Sequence, residues 1–431
     1  MDGADKNTRI REACSETRSR RKSMLPRVVT LKVQDNKLTS AQREALRMMF
    51  LEAKWLYNHV LALSEGEDGA DVFALRYNDI PEVLHYDKDR NPVVSPITRL
   101  SSQMRQAVLD GVCANISNLA KAKAKGYEVG ALKFISEYTS INLKQRGVSY
   151  SIAGKRRVKV QGIRKPLPVN GMEQFGRFPE YETANARLIQ RPSGYYIAVT
   201  VYIPGGDRVN DAEDSRPLVG IDMGCRTTFT LSDGRKFDYR FEESEQVKKL
   251  QRKMQRMTKG SKNWWKTRRK LRKAYERDGN RKEDAARKFC AALREYRTVI
   301  QNEQLSGWKE NGHGDKVQHS IMGRVKTRLA EAGAAVLSEW IPTTKFCREC
   351  GHRVEVPLSS KEFRCPYCGT REDRDVHAAM NMVWFYENIV GVERTEYQPV
   401  EFRRALEARF GFALPDLGQE RQEATGSSAP W

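Results

Sequence analysis

The sequence lacks the features that mark membrane, secreted and disordered proteins. No apolar run reaches the roughly 18 residues that a membrane-spanning helix needs, and the first 25 residues contain no apolar stretch of the signal-peptide kind. Apolar residues still make up 39% of the chain and aromatic residues 9%, more than a disordered chain carries. The sequence therefore predicts a soluble, cytoplasmic protein, and its 431 residues leave room for about two to four domains.

Cysteine is also scarce, and the 8 cysteine residues are unevenly distributed along the chain. Four are scattered, namely Cys14, Cys113, Cys225 and Cys290. The other four form two Cys-x-x-Cys turns separated by 14 residues, namely Cys347, Cys350, Cys365 and Cys368. Four thiolates in such turns close a tetrahedron around Zn²⁺ and leave no open position. We therefore predict one structural zinc ion rather than disulfides, which are rare in a reducing compartment.

Negative charge is in deficit, with 55 Asp and Glu against 76 Lys and Arg, so that the formal net charge is +21. Lys and Arg bind phosphates by releasing condensed counterions, which makes nucleic acid the predicted partner. A ribosome-associated or merely basic soluble protein has the same composition, and charge alone does not exclude it.

Part of the positive charge lies in residues 248–274, which contain 13 Lys or Arg and no Asp or Glu. An ordinary solvated helix interleaves both signs, so this stretch predicts direct contact with a nucleic-acid backbone. Trp264 and Trp265 lie in its middle, where packing is the favoured interpretation and base stacking by one ring is the alternative. The predicted contact residues are Lys248, Lys249, Arg252, Lys253, Arg256, Lys266, Arg268, Arg269, Lys270, Arg272 and Lys273, together with Arg156 and Arg157 from a second basic stretch.

The pattern of apolar residues changes along the chain. Helical patterns lie near 39–60 and 96–125, whereas short alternating runs between 134 and 204 are typical of an antiparallel barrel-like sheet. A linker at 204–217 precedes strands and helices that together fit an α/β domain. The predicted domains are a disordered basic arm (1–25), a β-barrel (26–36 and 130–206), an inserted helical domain (37–129), an α/β domain (216–342 and 373–395), a zinc-binding insertion (343–372) and a mostly disordered tail (400–431).

Three acidic residues stand out in the second half of the chain. Asp222 lies inside an apolar strand, Glu303 ends another strand, and Asp375 precedes the last helix. Each has an ordinary alternative role in a turn, at a strand edge or as a helix cap, although Asp373 is the better candidate for the cap. A charge inside an apolar strand is costly unless it is paired or binds a cation. Converging carboxylates are natural ligands for two divalent metal ions, which support phosphodiester hydrolysis without a histidine or cysteine nucleophile.

Taken together, these motifs resemble TnpB, the transposon-encoded RNA-guided DNA nuclease, and its relatives the compact type V CRISPR effectors. The similarity is strong over about 216–390 and weak in the first half of the chain. The matching stretches are GIDMGCRTTFTLSDGRKF (220–237), VIQNEQL (299–305), IPTTKFCREC (341–350), RCPYCG (364–369) and DRDVHAAMNM (373–382).

The resemblance implies an RNase H-like (RuvC) nuclease domain with a zinc-ribbon insertion. An oligonucleotide-binding-like wedge β-barrel with an inserted helical recognition domain would precede it. Asp222, Glu303 and Asp375 look like the three RuvC acids, which in the family bind Mg²⁺ and cut both DNA strands with one active site. The implied partners are a guide RNA and double-stranded target DNA. The implied location of the protein is the cytoplasm of a prokaryotic cell, where it would act in association with the nucleoid.

Two positions depart from the family pattern. His377 stands where Asn usually follows the third acid, and Gln304 follows Glu303 in place of the usual acid. All three acids are present, which favours an active endonuclease over a nuclease-inactive RNA-guided repressor; an RNase H-fold DNA transposase is the other alternative. The sequence leaves open whether the protein is a transposon-encoded TnpB or a CRISPR effector, and whether it is a monomer or a homodimer.

Overall fold

The computed structural model describes most of the chain, namely residues 3–64, 71–87, 91–124, 126–204, 215–303, 305–308, 312–357 and 359–389. The chain divides into two compact units, Met1–Arg208 and Val209–Trp431. The predicted tail at 400–431 and most of the predicted linker at 204–217 lie outside the described residues. Within the described residues, no helix combines the length and the apolar character needed to cross a membrane.

The first unit is built on an antiparallel sheet. Its described helices and strands are α1 (Gly3–Lys22), β1 (Met24–Val33), α2 (Ser40–Leu63), β2 (Glu82–Tyr86), β3 (Pro92–Pro96), α3 (Ser102–Ala124), β4 (Ser140–Leu143), β5 (Tyr150–Ile152), β6 (Arg157–Val160), β7 (Leu167–Asn170), β8 (Glu182–Arg191) and β9 (Gly194–Pro204). Seven strands pair in the order β4-β8-β9-β1-β7-β6-β5. The Tyr150 hydroxyl of β5, the last strand of this order, donates to the Ala184 carbonyl of β8, the second strand, at 2.5 Å. The sheet is therefore nearly closed, in line with the predicted barrel.

Helices α2 and α3 share one hydrophobic core with this sheet. Helix α2 begins at the capping box that the sequence predicts, where Thr39 Oγ1 accepts from the Gln42 amide at 3.2 Å. Helix α3 begins later than predicted, because the buried Glu52 carboxylate accepts the amide hydrogens of Arg99 and Leu100 and holds the preceding segment in a loop. The local pattern gives no sign of this contact, since Glu52 belongs to α2.

Helix α1 occupies residues for which the sequence predicts a disordered arm. Near its end, Arg20 and Arg21 form ion pairs with Glu182 of β8 at 2.9 and 2.5 Å. The Arg21 guanidinium also lies 4.7 Å from the ring centre of Tyr202 in β9. These contacts attach the helix to the sheet. Composition does not reveal them, because alternating Lys, Arg, Asp and Glu also fit a solvated arm.

The second unit contains a mixed sheet. Its described helices and strands are β10 (Leu218–Met223), β11 (Phe229–Leu231), β12 (Lys236–Phe237), α4 (Glu245–Gln255), α5 (Lys262–Ala292), β13 (Arg297–Gln301), α6 (Leu305–Trp308), α7 (Gly314–Gln318), α8 (Met322–Glu331), β14 (Ala335–Leu337), β15 (Glu362–Arg364), β16 (Arg371–Asp373) and α9 (Arg374–Asn388). Five strands pair in the order β12-β11-β10-β13-β14, with β10, β13 and β14 parallel to one another and β11 antiparallel to both of its neighbours. A mixed sheet with helices fits the α/β domain that the sequence predicts for this part of the chain.

Helices α4 and α5 form the basic hairpin that the sequence predicts between β12 and β13. Helix α5 begins after Ser261, whose side chain accepts a hydrogen bond from the Trp264 amide. The two helices are held together by a small core of their own, formed by Val247, Leu271 and Ala274. With so few apolar positions used for packing, most of the charged residues of the hairpin remain exposed.

Candidate metal centres and nucleic-acid surface

The fold brings the three predicted acids to one edge of the five-stranded sheet. Strands β10 and β13 run parallel, with Ile221 opposite Ile300. Asp222 therefore lies near the carboxyl end of one strand, and Glu303 follows the end of its neighbour. Asp375 is the second residue of α9, a helix that packs on β10. The acids thus reach the same edge from three separate parts of the chain.

The carboxylates of Glu303 and Asp375 act on the ionisation of Asp222. Burial raises the pKa of Asp222 well above its usual range, and the negative charges of Asp375 and Glu303 raise it further. The positive charge of Arg374 acts in the opposite direction but does not cancel this effect. Without a cation the three charges repel one another, and a divalent ion bound among them would relieve that repulsion. The donor set fits Mg²⁺, which prefers carboxylate oxygens.

Gly220 allows α9 to approach the sheet. A Cβ atom at Gly220 would lie 2.0 Å from the Ala379 carbonyl oxygen and 3.2 Å from Val383 Cγ2. The helix backbone therefore rests directly on β10, and no side chain fits between them. Because Asp375 lies one helical turn before Ala379, this contact sets how closely Asp375 approaches Asp222.

We expect the substitution Gly220→Ala to destabilise the protein by about 1–3 kcal/mol, because the new methyl group meets helix backbone that cannot move aside by a rotamer change. Gly279→Ala in α5 is the matched control, since nothing lies within 4 Å of a Cβ atom at that position. Denaturant unfolding of the two variants measures the difference. Equal stabilities of the Gly220 variant and the wild type would contradict the close contact.

Asp373 caps α9, as the sequence predicts. Its Oδ1 accepts from the amides of Asp375 and Val376, both at 3.1 Å. Its Oδ2 accepts from Lys236 Nζ at 2.7 Å. The carboxylate of Asp375 takes no part in the cap, so the two acids have different roles at the start of the helix.

The four predicted cysteines meet at one point. Their Sγ atoms all lie within 4.8 Å of one another, and those of the pairs Cys347–Cys368 and Cys350–Cys365 are 3.5 Å apart. A tetrahedral zinc ion with Zn–S bonds of about 2.3 Å requires sulfur–sulfur distances of roughly 3.8 Å. The cluster therefore fits a zinc ribbon. In the part of the chain that the structure describes, no other group of metal-ligating side chains packs as closely.

The backbone and the polar groups around the cysteines suit metal ligation. Gly351 and Gly369 follow the two Cys-x-x-Cys turns with φ of 76° and 80°, a left-handed conformation that glycine adopts without strain. Hydrogen bonds from Thr370 lower the pKa of Cys368 to about 6, whereas burial raises the pKa of Cys347. Zinc binding would therefore release protons from the buried thiols.

His377, which replaces the usual Asn of the family, is a buried residue of α9. Its ring stacks on Phe363 in the segment 343–372, which we call the zinc ribbon. His377 therefore belongs to the contact between α9 and the zinc ribbon. Sequence reasoning missed this contact and the importance of Gly220, because ligand spacing identifies cysteines and acids but not the groups that pack behind them.

The predicted cations of α4 and α5 form a largely exposed surface. Those that are half-buried are Lys248, Arg268 and Arg272. Trp265 is 51% exposed and meets Trp264 edge-to-face with ring centres 4.8 Å apart. The Arg268 guanidinium lies over both rings. Packing therefore covers only part of the Trp265 side chain, and the rest is exposed to solvent. In the first unit, Arg156 and Arg157 are also exposed.

Two family models match the second half of the chain. Residues 206–306, which contain Asp222 and Glu303, match the model described as "Probable transposase" (OrfB_IS605). Residues 320–382, which contain the four cysteines and Asp375, match the model described as "Cas12f1-like, TNB domain". The matched ranges thus include both candidate metal centres.

Two relatives are similar to part of the chain. The "Putative RNA-guided DNA endonuclease" of Streptomyces pristinaespiralis is 31% identical over 190 residues, which cover 41% of this chain and 47% of the relative. The "Putative RNA-guided DNA endonuclease InsQ" of Escherichia coli (strain K12) is 28% identical over 198 residues, which cover 39% of this chain and 49% of the relative. The chain therefore spans about half the length of these curated relatives. Together with the family models and the cysteine cluster, these matches confirm the predicted resemblance of this chain to the TnpB-like family.

Proposed function

We propose that this protein is an RNA-guided DNA endonuclease that cleaves its target at a single RuvC-type site. The convergence of Asp222, Glu303 and Asp375 carries the proposal. Three mutually repelling carboxylates at one sheet edge cost stability unless a cation binds them. The names of the two relatives and the matched family models support the same activity.

The parts of the site have different tasks. Asp222 and Glu303 at strand ends, and Asp375 at a helix start, would hold two Mg²⁺ ions between them. When bound, such ions supply an activated water and stabilise the leaving oxygen of a phosphodiester. The protein itself fixes the carboxylates before substrate arrives. Asp373 caps the start of α9, and the absence of a side chain at Gly220 lets the backbone of α9 pack directly on β10.

The four cysteines would hold one zinc ion with a structural role. Their arrangement is closed, because all four tetrahedral positions are filled by protein sulfur. A closed site offers no position for water or substrate, so this ion would take no part in the reaction. Its contribution is to the folding of the zinc ribbon, since a segment of this size has little core of its own.

The exposed cations of α4 and α5 would bind the guide RNA or its duplex with the target strand. Thirteen cations without a single acid between 248 and 274 suit contact with phosphates. The exposed ring of Trp265 would stack on a base or a ribose in the same surface.

Reversal of two of these charges, by Arg269→Glu with Lys270→Glu, should weaken RNA binding and flatten its dependence on salt. Each phosphate contact adds about 0.7–0.9 to the slope of log K against log salt, so the loss of two contacts should reduce the magnitude of the slope by roughly 1.4–1.8. The control is Arg287→Glu with Lys288→Glu on the same helix, because those cations already pair with acids one turn away. Filter binding over a range of salt concentrations measures both. The same slope in both double variants would exclude this part of α5 from the RNA-binding surface.

The proposed function is tested with the RNA that copurifies with the protein from its host. Sequencing identifies the guide, and the purified complex is then incubated with matching or unrelated DNA, in Mg²⁺ or in EDTA. We expect cleavage only of matching DNA and only with Mg²⁺. RNA-dependent binding without cleavage would indicate a repressor, and RNA-independent binding to transposon ends would indicate a transposase; either result contradicts the proposal.

A further inference from the structure

A buried side chain of α9 contacts the zinc ribbon on both sides of the cysteine cluster. His377 lies two residues after Asp375 and has no exposed surface. Its Nε2 lies 2.8 Å from the carbonyl oxygen of Phe346, the residue before the first cysteine. Its ring stacks on Phe363, just before the second cysteine pair, with ring centres 3.6 Å apart. His377 therefore contacts the residue before the first Cys-x-x-Cys turn and a residue just before the second turn.

Charged groups make a second connection at the same place. Arg348, which lies between the first two cysteines, donates from one guanidinium nitrogen to Glu372 Oε2 at 2.8 Å and from another to Oε1. Glu372 Oε2 also lies 2.8 Å from His377 Nδ1. The side chains of Arg348 and Glu372 are only 12% and 24% exposed. Paired charge-assisted hydrogen bonds that are sheltered from water are strong and hold a defined geometry.

The backbone of the zinc ribbon receives a third connection. Asn381, one turn beyond His377 on α9, donates from Nδ2 to the carbonyl oxygens of Thr343 and Phe346, each at 2.7 Å. Phe346 also packs in a core with Met382 and Phe385 of α9, so its side chain joins the start of the ribbon to this helix as well. The ribbon has a small core in which two of its four buried residues are the cysteines Cys347 and Cys365. Its folding therefore depends on the cluster.

We propose that three side chains at this contact are positioning residues, which make the placement of Asp375 depend on the folded zinc ribbon. They are Arg348, Glu372 and His377. This inference rests on the proposed function, because it assigns these residues a task towards the ions held by the acids. Without the connection, the first turn of α9 loses its support from the ribbon, and the acids bind a divalent ion more weakly although no ligand is missing. Groups that orient metal ligands from behind typically contribute roughly 10–100-fold to metal affinity.

The experiment measures divalent-ion affinity separately from cleavage. Mn²⁺ is titrated into the full chain and its free concentration is followed by electron paramagnetic resonance, while zinc content is measured by atomic absorption. The variants are His377→Ala and Glu372→Gln. The control is His352→Ala, because this histidine of the zinc ribbon stacks on Tyr367 of the ribbon itself. Only the Mn²⁺ binding that is lost in Asp222→Asn is counted as binding to the acids.

We expect His377→Ala to retain one zinc ion and to bind Mn²⁺ about tenfold more weakly. Glu372→Gln should change the affinity in the same direction, and the control should remain within about twofold of the wild type. Unchanged Mn²⁺ affinity in both variants would overturn the proposal. If His377→Ala releases zinc, Glu372→Gln decides the question, because it leaves the stacking on Phe363 intact. Failure of the proposed function is distinguishable, since the wild type would then show no Mn²⁺ binding that depends on Asp222.

Discussion

Asp222→Asn is expected to abolish DNA cleavage while guide RNA and target DNA still bind within a few fold of the wild type. A metal ligand contributes several kcal/mol to stabilising the transition state, and about 4 kcal/mol corresponds to a loss of roughly a thousandfold in rate. Binding is preserved because the substitution keeps the shape of the side chain and leaves the basic surface of α4 and α5 unchanged. Cleavage of a labelled target and filter binding of the same complex measure the two effects.

The same substitution should not destabilise the metal-free protein. Asp222 is repelled by Asp375 and Glu303, so removal of its charge should leave the melting temperature in EDTA equal to that of the wild type or higher. Asp233→Asn is the control, because Asp233 is an exposed acid paired with Arg235 in a turn and should not affect cleavage. Loss of RNA binding or a clear drop in melting temperature in Asp222→Asn would show that Asp222 has a structural role instead.

Cys365→Ser should remove the bound zinc and unfold the zinc ribbon, with loss of solubility. Structural zinc contributes on the order of 10 kcal/mol in isolated zinc-finger peptides, and Cys365 also belongs to the small core of the ribbon. The matched control is Cys14→Ser, since Cys14 is exposed and lies outside the cluster. Atomic absorption should show one zinc ion per chain in the control and close to none in Cys365→Ser. An unchanged zinc content would reject the four-thiolate site.

Features with a local signature could be predicted from the sequence. The spacing of the four cysteines, the capping box at Thr39 and the Asp373 cap each depend on residues a few positions apart, and all three are found where the sequence predicts them. The alternating runs likewise predict the barrel-like sheet. In such cases the interacting groups are held together by the covalent chain, so their spacing is informative.

Features that depend on tertiary packing could not be predicted. Gly220 looks like any glycine in a strand, and only the position of α9 shows that a methyl group would not fit. Glu52 lies on α2, and only the fold shows that it is buried against the segment before α3. His377 is a departure from the family pattern whose partners, Phe346 and Phe363, are carried by the zinc ribbon. Each of these contacts joins segments that are distant in sequence.

The most direct test of the central claim is the position of divalent ions in crystals soaked with Mn²⁺ and located by anomalous scattering. We predict ion density bounded by Asp222, Glu303 and Asp375, at the edge where β10 and β13 end, and no such density in crystals of Asp222→Asn. Mn²⁺ bound only at other places, with the three carboxylates turned away from one another, would contradict the claim that these acids form one metal site.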